Sequence, residues 1–134
     1  EEIQVVRETT MFKENELNHI LTDTDILSYQ QLIKKIPITD KVLEYAVSLT
    51  AKTRPESDRA TSEVKNYISW GAGPRASQYL VLGAKTHAAI QGKYSPDIED
   101  VQAVANYVLR HRIIRNYKAE AEGISEENII QGLL

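Results

Sequence analysis

The sequence predicts an all-α domain, a bundle of about five to six helices with at most a small two-stranded ribbon. Three observations lead there. Apolar residues recur at spacings of three and four through much of the chain, as in Ile26, Tyr29, Ile33 and Ile36. Helix-start signals stand before these stripes, at Thr39-Asp40, Ser95-Pro96-Asp97 and Ser125-Glu126-Glu127, and prolines or glycines close them. Only residues 67–70 and 111–116 read as short extended segments.

Residues 1–10 place Ile3, Val6 and Thr10 on one helical stripe. A polar connector follows from Met11 to Asp23, in which Leu17, Ile20 and Leu21 are expected to pin the chain to the body. The next helix is predicted over 25–35, capped by Thr24 and stopped by Pro37. Thr39 then caps a helix running to about Thr53, with Ile38 stapled onto Leu43 and a buried face of Val42, Ala46 and Leu49. Residues 54–62 carry no strong apolar residue and read as an exposed loop. Gly71-Ala72-Gly73-Pro74 is a sharp turn whose proline fits the first position of a helix over 74–91. Its inward face is expected to use Ala76, Leu80, Gly83, His87 and Ile90, and Gly92 closes it in a left-handed cap. From Asp97 the stripe of Ile98, Val101, Ala105 and Val108 marks another helix, with acids in its first turn and Arg110, His111 and Arg112 at its far end, both favoured by the helix dipole. Residues 117–121 are ambiguous. Beyond Gly123 a last short helix is capped by Ser125, with Ile124 stapled onto Ile129.

A chain of 134 residues with this apolar content suits one domain that needs no disulfide or metal to be stable. Cysteine is absent, which removes thiol nucleophiles and zinc–thiolate sites and is compatible with a cytosolic location. Sixteen Lys and Arg stand against nineteen Asp and Glu, a formal charge of −3, so no general positive field attracts a nucleic-acid backbone. No apolar run approaches the roughly 18 residues that cross a bilayer, so no membrane partner is expected. The chain opens inside a helical pattern without an initiator methionine, and we read it as a piece of a longer protein.

His19, His87 and His111 have no metal-ligand spacing, so no metal site is expected. His87 reads as a hydrogen-bonded residue of the helix core and His111 as a cap at a helix end. No GxSxG elbow frames a serine, which leaves nucleophilic hydrolysis without support. The turn at Gly71 to Arg75 is not a phosphate loop, because it lacks the lysine and hydroxyl of GxxxxGK[ST]. Arg75 nevertheless stands in the first turn of a helix behind a rigid Gly-Pro corner. On the residues alone it is either a solvated structural arginine or an anion contact. Arg110, Arg112, Arg115 and Lys118, with Tyr107 and Tyr117 among them, are either a helix end with a solvated loop or a nucleic-acid contact, and the acidic net charge favours the former.

From about Trp70 onward the sequence resembles the C-terminal lid domain of MoxR-type AAA+ ATPases, relatives of the magnesium-chelatase ATPase subunits. The resemblance is carried by Gly71-Ala72-Gly73-Pro74-Arg75-Ala76-Ser77, by Gly92-Lys93-Tyr94-Ser95-Pro96-Asp97-Ile98-Glu99-Asp100-Val101, and most specifically by Val108-Leu109-Arg110-His111-Arg112-Ile113-Ile114-Arg115-Asn116-Tyr117. The first half matches more loosely, through Glu1-Glu2-Ile3, Ile36-Pro37-Ile38 and Val42-Leu43-Glu44-Tyr45, while Gly73 departs from the serine expected in the motif and the connection from Pro55 to Ser69 is longer. The resemblance implies one lid domain over 1–134, with 1–10 ending the connection from an ATPase core. It also implies that Arg75 is the sensor 2 arginine facing the γ-phosphate of ATP, with Pro74 and Gly73 beside the nucleotide. ATP with Mg²⁺ would be the cofactor of the intact parent, whose Walker motifs lie upstream, and this chain alone would be inactive. The implied partners are the core of the same chain, neighbouring subunits of a ring, expected to be a hexamer, and a von Willebrand factor A domain protein. The implied setting is cytoplasmic and the implied work chaperone-like remodelling. A different class remains open, a non-enzymatic helical adaptor or a nucleic-acid-binding helical module.

Overall fold

The computed structural model describes residues 1–11 and 18–134. Along the chain these form α1 (Glu2–Thr10), α2 (Asp23–Lys35), α3 (Asp40–Lys52), α4 (Ser62–Tyr67), β1 (Ile68–Trp70), α5 (Pro74–Ile90), α6 (Ile98–Leu109), β2 (Ile114–Arg115), α7 (Tyr117–Ala121) and α8 (Glu126–Gln131). The all-α expectation holds, with eight helices among the described residues rather than five to six. The difference lies in short helices. In particular α4 occupies the end of the supposed loop and the start of the supposed strand. Its Thr61 accepts from the Val64 N–H as an N-cap, and Val64 is its single buried residue. One buried position gives no period to detect.

The extended segments pair as expected, in an antiparallel ribbon that sets Ile68 against Arg115 and Trp70 against Ile114, with an irregularity between the two pairs. The antiparallel pair α5 and α6 is the centre of the fold, with α3 packed on α5, α8 on α6 and α4 on α7. Leu49, Leu80, Leu109, Ile129, Ile130, Val64 and Val101 are fully buried between these layers. Burial of each leucine or isoleucine contributes about 2 kcal/mol. Helices α5 and α6 meet closely because Ala76, Ala84 and Ala88 are small and because Gly83 faces Val104. A Cβ at Gly83 would stand 3.1 Å from the Val104 Cγ2.

Several local expectations need correction. The cap of α2 is Thr22, not Thr24: Thr22 and Asp25 form a reciprocal capping box that starts the helix at Asp23. Ile90 is 78% exposed, because the buried line of α5 runs through Ala84 and Ala88 and leaves its last residue outside. On α6 the fully buried line is Asp100, Val101, Ala105 and Leu109, with Ile98 and Val108 half-buried beside it. Helix α1 buries nothing, and α2 packs on α5, with Ile33 and, just past the helix end, Ile36 half-buried while Ile26 and Tyr29 stay exposed. Ile20 and Leu21 are exposed and do not pin the connector, and Leu17 lies outside the described residues.

Candidate functional site

The start of α5 is held by the end of α3. Thr53, fully buried at the C-cap of α3, donates its Oγ1 proton to the Thr50 carbonyl at 2.7 Å. The same oxygen accepts from the Ala72 N–H at 2.9 Å. Arg54 donates through Nε to the Ala72 carbonyl at 2.8 Å, so both backbone groups of this buried alanine are satisfied by adjacent residues of one helix end. Gly71 lies so close to that end that a Cβ would come within 2.4 Å of the Thr53 carbonyl oxygen. The turn is therefore clamped before the helix begins.

Gly73 is the N-cap of α5, with φ −79° and ψ 175°, and it offers no side-chain acceptor to the first turn. Pro74 stands at the first helical position, where its missing N–H costs nothing. Arg75 follows, exposed. The electrostatics of this terminus differ from those of the other helices. Each of the other seven described helices carries an acidic residue in its first turn, whereas α5 carries none. A guanidinium at a helix N-terminus opposes the helix dipole by about 0.3–1 kcal/mol. An anion there would meet the dipole and the arginine with the same favourable sign.

The expected nucleotide-facing residues Gly73, Pro74 and Arg75 are brought together in one shallow cleft, and the fourth residue lining it is Arg112. Arg112 lies beyond α6, with its guanidinium carbon 4.8 Å from the centroid of the Tyr79 ring on α5. Its Nε is buried without a hydrogen-bond acceptor. Asn106 Oδ1 on α6 is also buried and unpartnered among the described residues. Sequence reasoning placed Arg112 in a basic cluster, but the fold disperses that cluster. Arg115 pairs with Glu126 at 2.7 Å and donates to the Ile124 carbonyl at 2.7 Å. Lys118 lies near Glu122 and over the Tyr67 ring. Arg110 and His111 are exposed beyond the end of α6. Of the residues that made a nucleic-acid contact conceivable, Arg115 and Lys118 thus serve internal pairs.

A second polar centre joins the other ends of α5 and α6. Asp100, without exposed surface, accepts from the Asp97 N–H at 2.9 Å and from Lys93 Nζ at 3.1 Å, and its Oδ1 lies 2.7 Å from His87 Nδ1. Burial alone would raise the Asp100 carboxyl. The Asp97 N–H, His87 and Lys93 outweigh burial and hold it down at about 2. An ionised carboxylate only accepts, so Nδ1 of His87 carries the shared proton. His87 is thus hydrogen-bonded as expected, and the partner that fixes it is Asp100, one of the acids in the first turn of α6. His19 is exposed, and among the described residues no group of three or more His, Cys, Asp or Glu side chains could hold a metal ion.

The AAA lid domain family matches residues 60–133. Over 115 residues the chain is 31% identical to Chaperone MoxR1 of Mycobacterium tuberculosis, a match covering 86% of this chain and 30% of that protein. It is 25% identical over 118 residues to YeaC of Bacillus subtilis, an uncharacterised protein, covering 88% of this chain and 34% of that one. A crystal structure of a candidate ATPase from Cytophaga hutchinsonii superposes with a TM-score of 0.80 at 33% identity, over 98% of this chain and 40% of the other. The chain spans about a third of the length of the curated relatives it matches.

Proposed function

The chain belongs to the AAA lid domain family and is a lid of the MoxR type, and from that premise we propose that it presents Arg75 as the sensor 2 arginine to the γ-phosphate of ATP. The observation that carries this reading is the exposed arginine in the first turn of α5, on the one described helix whose first turn holds no acid, behind a turn clamped by Thr53 and Arg54. A clamped turn leaves the guanidinium little backbone freedom to lose on meeting an anion. The residues fit one end of a nucleoside triphosphate. They supply a helix N-terminus and a cation but no phosphate loop, and among the described residues no carboxylate cluster stands ready for Mg²⁺.

In this reading the parent protein hydrolyses ATP with Mg²⁺ held by a core domain of the same chain. Arg75 neutralises charge developing on the transferred phosphoryl group, an effect worth roughly 10³–10⁵ in rate where an arginine acts as a finger. Because the guanidinium rides on the lid, its contact lasts only while the γ-phosphate, or the phosphate ion that hydrolysis makes of it, stays in the site, and departure of that ion frees the lid to move. That differential contact is what couples chemistry to motion. The phosphate belongs either to its own subunit or to a neighbour in a hexameric ring. The chaperone description of the Mycobacterium relative supports remodelling of protein complexes as the work performed. A von Willebrand factor A domain protein as partner and a cytoplasmic setting rest on the family resemblance alone.

The test is steady-state ATPase activity and ATP affinity of the intact parent, wild type beside Arg75→Ala and Arg75→Lys. Turnover is expected to fall at least about tenfold in Arg75→Ala with the ring still assembled, and Arg75→Lys to recover only part of it. Unchanged turnover and affinity would make Arg75 a solvated structural arginine and leave only family membership.

A further inference from the structure

We propose that Arg112 is a second phosphate contact beside Arg75, so that the lid meets the nucleotide with two guanidiniums converging from α5 and from the segment after α6. The proposal rests on the reading of Arg75 given above and extends it to a residue distant in sequence. Three observations carry it. Arg112 and Arg75 line one cleft with Gly73 and Pro74, and no carboxylate lines it with them. The Nε of Arg112 is buried without an acceptor, and no carboxylate among the described residues pairs with its guanidinium. The guanidinium is laid on the Tyr79 ring of α5, which holds its plane.

An arginine in this condition needs a physical explanation. A buried donor without an acceptor has given up water for nothing in return, and two like charges at one cleft repel each other. The repulsion is removed by a phosphate group in the cleft, whose oxygens accept from the outer N–H groups in the plane of a guanidinium and whose charge offsets the pair. The neighbouring cations behave differently: Arg115 has Glu126 and the Ile124 carbonyl, and Lys118 has Glu122. Of these three, only Arg112 lines the cleft with Arg75. Stacking on Tyr79 removes much of the side-chain freedom that phosphate binding would otherwise have to restrict.

The experiment uses the intact parent and measures equilibrium affinity for ATP, ring assembly and the unfolding midpoint in Arg112→Met and Arg112→Lys, beside Arg75→Ala. Met keeps an apolar stem against Tyr79 and removes the charge. Lys keeps the charge and loses the planar fork. ATP affinity is expected to fall about tenfold in Arg112→Met and about threefold in Arg112→Lys, with assembled rings and an unchanged midpoint without nucleotide. The proposal is overturned if both variants bind ATP within about twofold of wild type. It is equally overturned if affinity falls only in Arg112→Met and only in step with lost assembly. Silent Arg112 variants beside an impaired Arg75→Ala would sink this proposal while leaving the sensor 2 reading intact, whereas a silent Arg75→Ala would sink both.

Discussion

Asp100 keeps its charge in a buried position because three donors converge on it from α5, the following turn and its own helix start. Its folded carboxyl titrates at about 2, below the 3.8 of an unconstrained aspartate. The stability gained by ionising it is therefore fully present above about 3.8 and is lost as the pH falls through about 2. A difference of this size corresponds to about 2 kcal/mol near neutral pH. Asp100→Asn should lower the unfolding free energy by that amount at neutral pH, and the gap to wild type should close as the pH falls toward about 2. Denaturant titrations at a series of pH values measure it, and a gap independent of pH would mean that hydrogen bonding rather than charge supports the α5–α6 end. The sequence made Asp100 visible only as a first-turn acid, since the dipole argument is local. That it is buried against His87 depends on how α5 packs on α6. Arg75 was legible for the opposite reason, because its surroundings, Gly71 to Ala76, are contiguous. Arg112 stood in a contiguous basic run, and only the fold separates it from Arg115 and Lys118.

Among the elements, α5 depends most on its neighbour for its starting point. The turn before it is held by Thr53, Arg54 and Ala72, and Gly71 is the position that lets the two backbones approach. Gly71→Ala would push a Cβ to 2.4 Å from the Thr53 carbonyl oxygen, a contact with backbone that no rotamer change relieves. It should cost about 2 kcal/mol or more in stability and displace the first turn that carries Arg75. Thermal unfolding and ATPase turnover of the intact parent should fall together. A variant that loses neither would show that the α3–α5 clamp is slack. The long helices were legible because a stripe over three or more turns outweighs local noise, and the proline at 74 and the glycine at 92 mark both ends of α5. Gly92 does adopt φ +73°. Helix α4 was hidden because six residues with one buried position leave no period. In α2 the box Thr22-Asp23-Thr24-Asp25 offers two threonines as caps, and the choice of Thr22 follows from Asp25 reaching back to its N–H.

At the scale of the molecule, charge and architecture together limit what this chain can do by itself. The helical class and the ribbon followed from periodicity, but the way the basic run is shared between internal pairs and the Arg75 cleft needed the packed structure. The described residues gather one cationic corner at the start of α5 and no group of carboxylates able to hold a metal ion. Phosphoryl transfer needs a held triphosphate, a metal ion and a positioned water, and an arginine contributes only after these are in place. Each contribution multiplies the others because all act on one transition state, so an isolated arginine pair has almost nothing to accelerate. The separate chain should therefore release no phosphate from ATP above the rate in buffer with Mg²⁺, while the intact parent turns over. Phosphate release from the purified chain, with Arg75→Ala as control, checks this. Turnover that the Arg75→Ala change abolishes would mean that the lid carries a complete site, and the division of labour between lid and core would have to be redrawn.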